Sequence, residues 1–519
     1  MSGAPTTPPH HPTHNVHLTD QQLEAIISTV LPSHAIINAS AFTHGHSFNN
    51  RIYFLDLTDS LHTNTISHEL VLRVSGHYFN HRKVENEVGW LLRFREFCPS
   101  VPVPEVVAWS TDGAKIETLD RGFLKVTGRR KKVLQGVKHG WVLQTRLPGR
   151  RLTIEDLDGI HGDAILRQLA EHMATWRTVE MGLPWGTGSW SSPGGGGARI
   201  GNQCLFTAAH GKSPGIFWRP KDSRMDLWRG FVTGGLLLTH RQDTGHEGLR
   251  TWAEYYQFVL DDQIAHMMTA AELSGLRAMI DDRVTALRER LAHLPFLDNA
   301  SNIMKFTHMD FAPRNILIST DDTTASSPPQ VTGILDFEFS ALLPAPSEFL
   351  NSLVNQSGDW QTRHYNALLS HLRAIEKTLT PAPGDPSITP RSICISVMEP
   401  PAAPCIDPDR CECEYHNFEK LKVLEAVVAN VAPWYITQVS HIGKERELEA
   451  ECAKAANVVL DGVERLLALL AEGLDDGQSE AGSAPRRGTR EATTLRSETT
   501  ATTSVPTTVV NGPDRARRS

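Results

Sequence analysis

The chain has 519 residues, 40% hydrophobic and 21% charged, with a formal net charge of -8. That is long enough for a two-lobed core plus tails, and no apolar run approaches the roughly 20 residues that span a bilayer, which points away from a membrane protein. Seven cysteines, an odd number spread thinly, argue against a disulfide framework and for a reducing, cytoplasmic setting, and the first ten residues lack the basic and apolar regions of a secretory signal.

In chain order, residues 1–17 are rich in Pro, Thr and His and are expected to be disordered. His17-Leu18-Thr19-Asp20 then opens a helix with Leu18, Leu23, Ile26 and Ile27 on its apolar side. A polar turn over 43–50 precedes the alternating strand 52–57 and reads on its own as a hairpin turn. A second strand, 69–74, is followed by a helix from about Lys83 to Phe97. Val101-Pro102-Val103-Pro104 excludes helix and suits an extended entry to the next strand. Residues 121–138 are basic around Arg129-Arg130-Lys131-Lys132; without aromatic interleaving they read as a solvated insertion, and no nucleic-acid partner is expected.

Beyond residue 149 the pattern turns mostly helical, with helices expected over 255–271, 273–291, 361–377, 418–439 and 445–470. Residues 185–201, with four consecutive glycines, and the proline-studded stretch 378–408 read as loops, and a tail from about 475 to 519 is expected to be disordered. Cys405, Cys411, Cys413 and His416 cluster without the paired Cys-x2-Cys of common zinc sites.

The chemistry concentrates in 306–340. His308-Met309-Asp310 is followed by Asn315, and after a polar loop the apolar run 331–335 ends in Asp336-Phe337-Glu338. Phosphoryl transfer needs metal ions that bridge phosphates and a group that orients the acceptor hydroxyl. Magnesium takes hard oxygen ligands and keeps few from protein. Asn315 and Asp336 suit that role, leaving Asp310 to accept the proton of a hydroxyl and His308 to brace the loop. A decoy, His161-Gly162-Asp163, lacks the downstream companions and reads as the start of a surface helix carrying Ile165, Leu169, Met173 and Trp176.

The pattern His308-x-Asp310-x4-Asn315 with Asp336-Phe337-Glu338 resembles the aminoglycoside phosphotransferase and choline kinase family, with Met309 where the family usually carries Gly. The resemblance implies an α+β, bilobal, protein-kinase-like fold: a small β-rich lobe over 18–147 with one main helix and a large helical lobe over 148–474. It implies ATP and Mg2+ as cofactors and a small-molecule hydroxyl as acceptor. The turn with Gly45, Ser47 and Asn49 would then fold over phosphates. Arg73 stands where the family has a lysine on the phosphates, with Glu87 as its partner; the alternative is a solvent-exposed ion pair. Gln144, Thr145 and Arg146 fall at the hinge beside the adenine edge, Glu338 near a second metal or the substrate, and Arg314 either supports the transferring phosphoryl group or lies on the surface. Two functions follow: transfer from ATP to a small-molecule hydroxyl, or a nucleotide-binding regulator with little or no transfer.

Overall fold

Thr19 opens the first helix by a reciprocal cap: its hydroxyl accepts the N–H of Gln22, and the Gln22 side chain accepts the N–H of Thr19. In this computed structural model the described residues are 11–42, 49–59, 68–77, 81–118, 125–126, 136–179, 202–203, 216–217, 227–228, 251–299, 304–320, 328–350, 354, 359–379, 395, 398, 400–401, 405, 411, 413–437 and 444–475. Contacts divide the chain into Met1–Glu472 and Gly473–Ser519. All that follows concerns the first unit, apart from the end of its last helix.

The elements begin α1 (Asp20–Val30), β1 (His34–Ala41), β2 (Asn50–Asp59), β3 (His68–Ser75), α2 (His81–Phe97), β4 (Val106–Ser110), β5 (Glu117–Thr118), β6 (Lys125–Val126) and β7 (Trp141–Thr145). One antiparallel sheet takes the order β1-β2-β3-β7-β4-β5. Its two faces serve different cores. Leu55, Leu57, Leu72, Val74, Trp141 and Leu143 pack with Leu23, Ile26 and Ile27 of α1. The opposite face receives α2, whose Val84, Val88, Trp90, Leu91 and Phe94 belong to a second core that runs on into the helical part. Residues 11–16 depart from the expected mobility: Val16 is fully buried in the first core, and the N–H of His77 donates to Pro12 O.

The chain then enters β8 (Arg150–Arg151), α3 (Ile154–Asp158) and α4 (Gly162–Thr178), followed by the two-residue strands β9 (Asn202–Gln203), β10 (Ile216–Phe217) and β11 (Leu227–Trp228). Gly149 makes the entry at φ 110°, where a Cβ would meet Ile318 O at 2.3 Å; only glycine accepts both conditions. Next come α5 (Trp252–Thr269), α6 (Ser274–Arg290), α7 (Pro295–Asn299), β12 (Met304–Thr307), β13 (Ile316–Ile318), β14 (Val331–Ile334) and β15 (Ala341–Pro344). The helices α8 (Thr362–Leu379), α9 (Glu414–Val431), α10 (Trp434–Thr437) and α11 (Glu445–Asp475) close the unit. The architecture is thus α+β, an antiparallel sheet first and a helical part after it, as expected.

The periodic segments became helices with ends shifted by a few residues, except for 418–439. There α9 stops at Val431 and α10 begins after Pro433, because proline lacks the N–H that a continuous helix needs. The decoy also behaves as read: α4 starts at Gly162, and Asp163 is an exposed partner of Arg167 and His371. Most of the basic stretch 121–138 and of 378–408, with all of the glycine-rich loop 185–201 and of the tail beyond 475, lies outside the described residues. Among the described residues no helix is long and apolar enough to cross a membrane.

Candidate active site

Two short antiparallel ladders carry the motif. β12 pairs with β15, and β13 pairs with β14 and with β8. Between β12 and β13 the chain turns through His308–Ala312 and a tight 3-10 turn at Pro313–Asn315. Met309 sits at φ 67°, in the left-handed region that glycine visits freely and other residues rarely do. A glycine would take this backbone conformation without cost, and Met309 takes it under strain. Asp336, after β14, is likewise left-handed at φ 72°. Two such residues flanking one site mark strain of about 1–3 kcal/mol each, held by surrounding contacts.

His308 makes three hydrogen bonds around the turn. It is fully buried, its backbone N–H donates to Glu348 Oε2 at 2.8 Å, and its Nδ1 accepts the N–H of Asp310 at 3.3 Å. Nδ1 being the acceptor, Nε2 carries the proton and donates to Leu335 O at 3.0 Å. Burial pushes the ring down to about 4, so it is neutral at ordinary pH. This one side chain ties the Asp310 loop to the residue before Asp336.

Asp310 is gripped on both sides. Asn315 Nδ2 donates to its backbone O and to Oδ2, both at 2.9 Å, and Arg314 pairs with Oδ1 while also reaching Asp359. Arg314, about a third exposed, is thus paired with two carboxylates. Burial, joined by the neighbouring Asp336 charge, pushes Asp310 up to about 7 against the pull of Arg314 and Asn315. A carboxyl group there can be ionised at neutral pH and still take a proton.

Asp336 leads into a 3-10 turn, Phe337–Phe339, whose Phe337 ring packs edge-on against Phe94 of α2 and near His308. Burial disfavours the Asp336 charge, but Arg73 and Lys83 outweigh it and hold the carboxyl below its usual range. Arg73, on β3, pairs with Glu87 at 2.6 Å, with Asp336, and with Glu338 at 3.1 Å. The Arg73 and Glu87 side chains are only 8% and 4% exposed, which rules out a solvated surface pair. Burial lifts Glu87 to about 7 despite Arg73, and the three carboxylates keep Arg73 charged against its own burial.

Glu338 shares Arg73 with Asp336. Its side chain is fully buried and both oxygens receive protein donors. Asn49 Nδ2 donates to Oε1 at 2.9 Å; Asn50 Nδ2 and Arg73 Nη2 donate to Oε2 at 2.7 and 3.1 Å, with Lys83 Nζ also 3.1 Å away. A carboxylate so saturated is a tie between the sheet and the catalytic strand. Asn49 is thus reached through Glu338, while Gly45 and Ser47 lie outside the described residues.

The sequence reading missed Lys83, which is 1% exposed and also donates to Asn50 Oδ1 at 2.6 Å and Asn49 O at 3.2 Å. The signal was a polar stripe at helical spacing on α2. Lys83, Asn86, Glu87 and Trp90 share a face, and Asn86 Nδ2 and Trp90 Nε1 both donate to Ser340 O at 2.9 Å. Glu348, Asp359 and Trp360 were missed as well; Trp360 Nε1 donates to Phe311 O at 2.7 Å.

At the hinge, Arg73 pairs across the ladder with Val142, so Gln144, two residues on, lies on the same sheet face as Arg73. Gln144 Oε1 is buried without a hydrogen-bond partner. The N–H groups of Thr145 and Arg146 donate to Glu105 O and Glu69 O, so neither is open to a base. Thr145 Oγ1 accepts from Glu105 N, and the Arg146 guanidinium lies over the Phe54 ring, 4.9 Å from its centre.

No curated protein sequence matches the chain. Among solved structures, a gentamicin complex of the aminoglycoside phosphotransferase APH(2")-IIa is similar at 11% identity, with 87% of this chain and 96% of that one covered and a TM-score of 0.43. A Plasmodium vivax ethanolamine kinase is similar at 9% identity, covering 85% and 91%, with a TM-score of 0.41. A microcompartment-associated aminopropanol kinase is similar at 15% identity, covering 86% and 97%, with a TM-score of 0.39. The family description "Phosphotransferase enzyme family" matches residues 41–374, a span that holds β2, β3, α2, the hinge and every residue of the catalytic motif. With well over half of the chain inside that match, it belongs to the phosphotransferase enzyme family.

Proposed function

We propose that the chain transfers the γ-phosphate of ATP to a hydroxyl of a small molecule, with Asp310 as the base. The observation that carries this reading is Asp310 itself: a buried carboxyl at about 7, clamped by Arg314 and Asn315 beside a second carboxylate at Asp336. The acceptor hydroxyl donates a hydrogen bond to Asp310, its oxygen attacks the γ-phosphorus, and the bond from that phosphorus to the β,γ-bridging oxygen breaks. ADP leaves, and the hydroxyl proton ends on Asp310 and then in solvent. Arg314 holds the carboxylate in line, and His308 keeps the loop in register with Asp336.

The donor set fits Mg2+. Asp336 supplies a carboxylate, and Asn315, whose amide N–H groups are turned to Asp310, has a carbonyl oxygen at the other end; both are hard oxygen donors. Bound there, the ion would offset the negative charge of the phosphates. Gln144 supports a base pocket, because its buried, unpartnered oxygen lies on the Arg73 face and suits a ligand N–H such as the adenine amine. Arg73 and Lys83 supply positive charge on that same side.

The test pairs binding with turnover. Mg·ATP is expected to raise the melting temperature of the wild-type chain and of Asp310→Asn alike. ADP release with an accepted hydroxyl is expected to fall by about 10²–10⁴-fold in the variant. Unchanged turnover would remove Asp310 from the mechanism, and absence of any nucleotide shift would remove ATP.

A further inference from the structure

Far along the chain from the catalytic motif, four residues that the phosphotransferase reading does not use come together. Cys405, Cys411, Cys413 and His416 bring their donor atoms within 4.8 Å of one another. We propose that these residues form a structural zinc site of the Cys3His type, which clamps the segment before α9 onto the start of that helix.

The geometry supports it in three ways. First, in a tetrahedral zinc site with Zn–S of about 2.3 Å, neighbouring sulfurs stand about 3.8 Å apart. The cluster brackets that figure, with Cys405 Sγ 3.1 Å from Cys411 Sγ, Cys413 Sγ 3.1 Å from His416 Nδ1, and 4.8 Å as the limit. Shifts of less than an ångström would seat an ion among them. Second, Cys413 occupies the N-cap position of α9 without capping it: its side chain makes no bond to the helix N–H groups and is turned instead to His416 in the first turn. Third, the surroundings suit thiolates. The N–H of Cys413 points at Cys411 Sγ at 3.4 Å, and Lys420 Nζ lies on Cys411 O at 3.0 Å, a cation beside a site whose net charge with three thiolates and Zn2+ would be negative.

Three sulfurs and an imidazole in a tetrahedral arrangement select zinc over the hard cations used in phosphate chemistry. The sequence spacing, with one residue between Cys411 and Cys413 and five between Cys405 and Cys411, departs from the paired Cys-x2-Cys pattern. The fold supplies the fourth ligand from the first turn of a helix instead. The clamp has something to hold: α9 buries Leu421, Leu424, Val427, Val428 and Val431, and Ile395 upstream of the cluster is fully buried in the same core.

The experiment is metal analysis of the full-length chain purified with a reductant and without chelator. Equimolar zinc is expected, along with thiolate-to-metal charge-transfer and tetrahedral d–d bands when the zinc is exchanged for cobalt(II). Cys411→Ser and His416→Ala are expected to lose the zinc to background, whereas Cys452→Ser, outside the cluster, retains it. Circular dichroism of each variant confirms that the helical part remains folded. The proposal is overturned if the reduced wild-type chain holds no zinc and gives no cobalt bands, if both cluster variants keep equimolar zinc, or if mass spectrometry finds Cys405 and Cys411 joined as a disulfide in the chain purified under reductant.

Discussion

Lys83 and Glu338 offer a direct test of how the sheet is fastened to the catalytic strand. Their side chains are 1% and 0% exposed and 3.1 Å apart, so water does not screen the pair. Removing one member of such a buried pair costs about 3–5 kcal/mol, because the charge left behind has no solvent to turn to. Lys83→Met is expected near the lower end, since Glu338 keeps Arg73, Asn49 and Asn50. Glu338→Gln is expected near the upper end, since Lys83 and Arg73 both lose a carboxylate. The double variant leaves fewer orphaned charges and is expected to cost about 1–3 kcal/mol less than the sum of the singles. Urea unfolding followed by tryptophan fluorescence reads this, with the buried Trp90 on α2 among the reporters. Additivity within about 0.5 kcal/mol would refute the coupled knot, and small single effects would refute the burial argument itself.

Other outcomes follow from the same geometry. Arg73→Lys is expected to destabilise the fold by about 1–3 kcal/mol, because one ammonium cannot replace a fork shared by Glu87, Asp336 and Glu338; an unchanged urea midpoint would contradict it. Asp310 must be ionised to act as a base, and it stands at about 7 against an ordinary 3.8. The acid limb of kcat/KM is therefore expected near neutrality, moving to higher pH in Arg314→Gln, which removes a cation that lowers Asp310; a limb near 4 in the wild-type chain would sink this. The linked stability has the opposite sense. A carboxyl group raised on folding contributes stability below its unfolded pKa and loses it as pH rises through about 7, so Asp310→Asn is expected to gain stability relative to wild type above neutral pH, as measured by melting temperature at pH 5 and 8. Gly149→Ala is expected to cost more than about 1 kcal/mol, since it combines φ 110° with a Cβ 2.3 Å from Ile318 O.

How much of this was legible in the chain depends on what kind of constraint acted. Asp310, Asn315 and Asp336 could be singled out because the phosphate chemistry proposed for them dictates atoms and offsets, and the long amphipathic helices could be read because burial of one face dictates their period. β1 escaped notice because it is an edge strand with scarcely any buried side chain, so no alternation marks it. Lys83 and the donors around Glu338 were illegible for another reason: only tertiary structure brings Asn49, Asn50, Arg73 and Lys83 to that carboxylate. The end of α9 was within reach, since Pro433 stood in plain view.

Helix α2 is held against rotation by a single face. One face of it meets Glu338 and Asn50 through Lys83, Ser340 through Asn86 and Trp90, and Arg73 through Glu87. Successive residues of a helix point about 100° apart, so a roll by a single position would strip all four handholds together. Through Glu87 and Arg73 the same helix face is also tied to Asp336 itself, so its orientation and the place of that carboxylate rest on one set of bonds.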